Sequence, residues 1–172
     1  VAVFDDVYGW NSLPYLGQGE FYTNYGNFDV KLTVPRSHIV VATGTLQNDA
    51  DVLTPTQMDR IKKARQTAET VMIRTADEVA DPSSRPAGQG PLTWHFKAEN
   101  TRTFAWASSP AFIWDGASVD GQAGTFVQSV YSKEVAPLWS KSTDMLRFSI
   151  EHYNTKWFVY PYPVATNVFG TV

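Results

Sequence analysis

A two-residue alternation of apolar and polar side chains, found twice, constrains this chain more than any other feature. Across residues 28–34 the apolar Phe28, Val30, Leu32 and Val34 alternate with Asp29, Lys31 and Thr33. Across residues 92–98, Leu92, Trp94, Phe96 and Ala98 alternate with Thr93, His95 and Lys97. Successive strand side chains point to opposite faces, so each run predicts a strand with one buried and one wetted face. Residues 20–25 lead into the first run through a Gly26-Asn27 turn. Residues 38–46, with β-branched Ile39-Val40-Val41, predict one further strand with Gly44 as a bulge. Shorter strands are expected at 71–74, at 103–107 across a Glu99-Asn100-Thr101 turn, at 112–114, at 125–127 and from Val164 onward.

The period changes in two places. Thr54-Pro55-Thr56-Gln57 sets a Thr N-cap, a proline at the first helical position and a glutamine three residues after the cap. Met58, Ile61, Ala64 and Ala68 follow at helical spacing. After Pro137 the residues Trp139, Leu146, Ile150, Tyr153 and Trp157 predict one amphipathic helix of about five turns. The expected fold is therefore mainly β: sandwich or saddle-like antiparallel sheets, one short helix and a long C-terminal amphipathic helix. Residues 80–91, rich in Pro, Gly and Ser, read as an exposed, linker-like loop.

The chemistry is sparse. Of 172 residues none is cysteine, which removes disulfides, thiolate zinc sites and a thiol nucleophile. The net charge is −3 with no cationic run, so nothing marks a nucleic-acid partner. No apolar stretch approaches the roughly 20 residues of a membrane span. His38, His95 and His152 lack the i, i+4 spacing that lets two imidazoles grip zinc from one helix face. They read as surface or partner-bonded residues. There is no Gly-x-Ser-x-Gly elbow, and Gly17-Gln18-Gly19 lacks the third glycine of a phosphate loop. Asp5-Asp6 reads as a turn. Trp10, Tyr15 and Trp114, placed in loops, could form a platform for sugar rings, although burial of apolar surface explains them more simply. A carbohydrate-binding module and a structural interaction module are thus the alternatives to any enzyme reading.

Several ordered stretches nevertheless resemble one family. They are Asp6-Val7-Tyr8-Gly9-Trp10-Asn11, Leu16-Gly17-Gln18-Gly19-Glu20-Phe21-Tyr22, Tyr25-Gly26-Asn27-Phe28-Asp29-Val30, and Thr33-Val34-Pro35 through Ala42-Thr43-Gly44. Phe104-Ala105-Trp106-Ala107-Ser108-Ser109-Pro110 and Trp157-Phe158-Val159-Tyr160-Pro161-Tyr162-Pro163 complete the series. The series resembles bacterial zinc metallopeptidases of the membrane alanyl aminopeptidase family, gluzincins related to aminopeptidase N. The resemblance implies that residues 1–130 belong to an N-terminal saddle-shaped β domain. Residues 131–172 would then be the first helix and strand of a thermolysin-like catalytic domain. It also implies that the Gly-Met-Glu substrate motif and the His-Glu-x-x-His zinc helix lie beyond this chain, so zinc and the catalytic residues are expected only in a longer parent. The parent would hydrolyse N-terminal residues from peptides, with a periplasmic or secreted location favoured. This chain alone would be inactive and would hold no metal. Glu20, with Gln18 beside it, is the candidate for contacting the substrate ammonium. An apolar patch around Trp139, Trp157 and Phe158 is expected where the rest of a catalytic domain would pack, and dimerisation through it could replace that partner.

Overall fold

The computed structural model describes residues 3–5, 7–12, 23–121 and 124–170. Among these lie eleven strands: β1 (Val3–Asp5), β2 (Gly9–Asn11), β3 (Gly26–Val34), β4 (Ile39–Ala42), β5 (Thr45–Leu46), β6 (Val71–Arg74), β7 (Leu92–Thr101), β8 (Trp106–Ser109), β9 (Ile113–Ser118), β10 (Phe126–Tyr131) and β11 (Val164–Val168). Four α-helices accompany them: α1 (Asp49–Val52), α2 (Pro55–Ala64), α3 (Ala136–Trp139) and α4 (Ser142–Lys156). The protein is mainly β, with antiparallel pairing throughout except between β10 and β11.

The two alternating runs pair with each other. β3 lies antiparallel to β7 with Phe28 opposite Ala98, Val30 opposite Phe96 and Leu32 opposite Trp94, so their apolar faces coincide. β5 covers the other edge of β7. A second sheet runs β11-β10-β9-β6, and all six residues of β9 and of β10 are buried. Both of its faces are covered. Trp114, Phe126 and Val130 join Trp94, Phe96 and Ile39 in the main core, while Ala117 and Val127 meet Ile150 of α4 in a smaller one. β11 runs parallel to β10, an arrangement that needs a long crossover, and the segment containing α3 and α4 supplies it.

Several expectations change here. The strand predicted over 38–46 breaks at Thr43-Gly44, where β4 leaves to pair with β8 and β5 joins β7. The expected turn at 99–101 is part of β7, residues 103–105 lie outside any strand, and β8 begins at Trp106. The linker-like loop is fixed in place. Arg36 donates to the carbonyls of Ala87, Gln89 and Gly90, and Arg85 donates to those of Arg36 and Val52. The long amphipathic helix does not form as a unit, and four helices stand where two were expected. Ser140 and Lys141 separate α3 from α4, and in α4 only Thr143 and Ile150 are buried while Met145 and Phe148 stand 64% and 60% exposed. The sheet beneath the start of α4 presents Asp115 and Ser129, and the Thr143 hydroxyl donates to the Asp115 carboxylate while lying within hydrogen-bond distance of the Ser129 hydroxyl, so a polar side chain occupies the inward position. Among the described residues no helix is long and apolar enough to cross a membrane.

Candidate functional site

An open groove of about 1200 Å³ lies among the described residues. Its walls come from distant parts of the chain. One contains Ala42-Thr43-Gly44, residues 97–103 at and just beyond the end of β7, and Ala105-Trp106-Ala107. The other contains Tyr160-Pro161-Tyr162-Pro163 and β11. This volume exceeds the roughly 300–1,000 Å³ of ordinary small-molecule pockets.

Local sequence explains each wall. Gly44 has φ +88°, and a Cβ there would stand 2.1 Å from the Lys97 carbonyl oxygen, so only glycine lets this segment press against β7. The two prolines around Tyr162 stiffen the strap that crosses toward β11. The strap is tied at several points. Asn154 Oδ1 accepts the Tyr160 N–H (2.7 Å), Thr125 Oγ1 donates to the Tyr162 carbonyl (3.1 Å), and Phe126 N–H donates to the Pro163 carbonyl (2.9 Å). Tyr162 Oη reaches the opposite wall and donates to the Asn100 carbonyl (3.3 Å). Burial, then the neighbouring Tyr162, raises the pKa of Tyr160, which keeps that phenol protonated. On the facing wall Trp106 is 52% exposed. The two cations on the lining are already engaged: Lys97 Nζ lies 3.3 Å from Asp29 Oδ2, and Arg102 donates to the Thr23 carbonyl and stacks over Tyr25.

Gln18 and Glu20 lie outside the described residues, as do Tyr15 and Asp6. The three histidines are far apart in role. His38 Nδ1 is 3.2 Å from Ser108 Oγ, His95 Nε2 is 2.6 Å from Asp29 Oδ1, and the His152 ring packs edge-on against Tyr153. The Asp29 contact with His95, with Lys97 adding to it, lowers the carboxyl pKa. Among the described residues no group of three or more His, Cys, Asp or Glu side chains is placed to hold a metal ion. Trp114 is not a loop aromatic. It lies in β9, 4% exposed, and its indole N–H donates to Gln128 Oε1 (2.9 Å), so it cannot stack on a sugar. Trp10 is exposed and packs edge-on against Phe4.

Sequence reasoning named the Phe-Ala-Trp-Ala and Tyr-Pro-Tyr-Pro stretches but did not bring them together. Trp106 carried one usable signal, a large aromatic at an alternating position of a short strand. The edge position of β11 carried none, because it depends on the partner β10 finds across the α3–α4 crossover. No protein-family model, curated protein or solved structure matches the chain.

Proposed function

We propose that this chain is the non-catalytic front portion of a zinc aminopeptidase-like metallopeptidase and that its groove forms part of the wall along which the parent handles peptides. One observation carries the reading: three stretches of the motif series, far apart in sequence, line the same groove. Ala42-Thr43-Gly44, Ala105-Trp106-Ala107 and Tyr160-Pro161-Tyr162-Pro163 all contribute to it. Segments that carry a resemblance to one family and converge on one concavity are better explained by a shared site than by packing alone. In the parent, zinc would polarise the scissile carbonyl and activate water, with a glutamate as general base. The residues described here would orient and enclose.

The test is to follow the parent's reading frame past Val172, then purify the parent with zinc and assay it on aminoacyl anilides. The reading expects a Gly-Met-Glu motif followed by His-Glu-x-x-His, zinc-dependent release of N-terminal residues by the parent, and none by the 172-residue chain. A parent without the zinc helix, or one with no such activity, overturns it.

A further inference from the structure

Among the described residues β11 is the outer strand of its sheet. The pattern of its bonds to β10 identifies which backbone groups face outward. Phe126 N–H donates to the Pro163 carbonyl and Phe169 N–H donates to the Val130 carbonyl, both at 2.9 Å. Between these two bonds Ala165 stands opposite Val127 and Asn167 opposite Ser129. Inward and outward groups alternate along a strand, so residues 163, 165, 167 and 169 face β10. Val164, Thr166 and Val168 turn their N–H and C=O groups away from it. These same three residues line the groove.

Across from them, Trp106 lies opposite Ala42 in the β4–β8 ladder, next to the bond from Thr43 N–H to the Ala105 carbonyl. It therefore occupies a register position whose backbone groups also point away from the strand partner.

We infer that the groove binds an extended peptide segment, which adds to the free edge of β11 as a further strand. Three outward N–H and C=O pairs recur every ~6.6 Å along β11, a spacing that only another extended main chain matches over its whole length. The groove's size also favours a polymer over a compact ligand. With Ala105, Ala107, Val164 and Trp106 on its walls, it has room for small or β-branched side chains, and with Lys97 and Arg102 engaged elsewhere the Glu99 carboxylate disfavours acidic ones. The inference goes beyond the peptidase reading, because strand addition requires no cleavage and its test measures none.

The probe is a fluorescein-labelled, acetylated hexapeptide of alternating Thr and Val, titrated with the 172-residue chain and followed by anisotropy. Saturable binding is expected. A fully N-methylated version of the peptide, which lacks every N–H donor, should bind at least tenfold more weakly. Val168→Pro deletes one outward donor and leaves the bonds to β10 intact, and it should cost at least tenfold as well, whereas Val168→Thr should stay within about twofold. If Val168→Pro fails to fold by circular dichroism, the N-methylated peptide alone decides. Three outcomes overturn the inference: no saturable binding at millimolar peptide, equal binding of the methylated peptide, or unchanged affinity in folded Val168→Pro. A dimer in sedimentation that Val168→Pro disperses would place a second copy on the edge and overturn it equally.

Discussion

Gly44 and Asp115 show how single residues fix this fold through contacts with distant parts of the chain. At Gly44, a Cβ would meet the Lys97 carbonyl oxygen and carbon at 2.1 and 2.7 Å and the Ala98 Cβ at 2.8 Å, and two of these are backbone atoms that cannot step aside. With φ at +88° the strain of a side chain adds to the clash. Gly44→Ala should therefore destabilise by about 3 kcal/mol or more in urea unfolding. Gly88, also at positive φ, meets only Arg36 guanidinium atoms, at 3.3–3.4 Å and not under 3 Å, so Gly88→Ala should cost less. The comparison fails if the two variants unfold together. Asp115 is 1% exposed and accepts from Tyr131 Oη (2.6 Å) and Thr143 Oγ1. Burial raises its pKa above 3.8, partly opposed by those two bonds, and the charge of Asp144 raises it further. A raised folded value favours the neutral acid. The stability it contributes is complete below 3.8 and is lost as pH rises through the folded value. Asp115→Asn should remove that dependence. Thermal melts should show the natural chain losing ground against the variant as pH is raised, and a difference independent of pH would refute the assignment.

At the level of elements, what the sequence made legible was whatever a local rule determines. Thr54 Oγ1 accepts the Gln57 N–H at 3.3 Å and Gln57 Oε1 accepts the Thr54 N–H at 3.1 Å, the reciprocal cap that the four-residue motif announces. Thr54→Ala should cost about 1 kcal/mol in denaturant unfolding, and Thr54→Asn should recover most of it. No loss in the alanine variant would mean that α2 is held by packing alone. The alternating runs were legible for the same kind of reason, since burial on one face imposes the period. Elements decided by distant partners were not. Residues 38–46 look like one strand because Ile39, Val40 and Val41 continue into Thr43 and Thr45, yet the two halves pair with different strands. The apolar spacing after Pro137 looks like one helix, but Thr143 is the side chain that turns inward onto Asp115 and Ser129. Trp114 looks like a loop aromatic until β9 is seen between β6 and β10. The groove was legible only as separate stretches, and Gln18 and Glu20, the residues named for it, lie outside those described.

For the whole molecule, the sheet β11-β10-β9-β6 divides two unequal surroundings. Its inner face closes on the main core, while its other face carries α4, whose outer side and exit are apolar. The patch expected around Trp139, Trp157 and Phe158 exists in part. Trp139 is half-buried between Tyr131 and Phe169, whereas Trp157 and Phe158 are 76% and 74% exposed, with Val159 beside them and Tyr153 one turn earlier. Adjacent exposed aromatics of this size mark a contact surface more often than a solvated one. The 172-residue chain should therefore self-associate with rising concentration in sedimentation equilibrium. Trp157→Ser with Phe158→Ser should weaken that association at least tenfold and shift thermal stability by no more than about 0.5 kcal/mol, because neither ring is part of a core. The direction separates this surface from the groove. If association survives the double substitution and falls with Val168→Pro instead, copies meet along the open edge of β11. If neither change matters and the chain stays monomeric throughout, the apolar exit of α4 is simply tolerated in water, and the expected dimer has no basis on this surface.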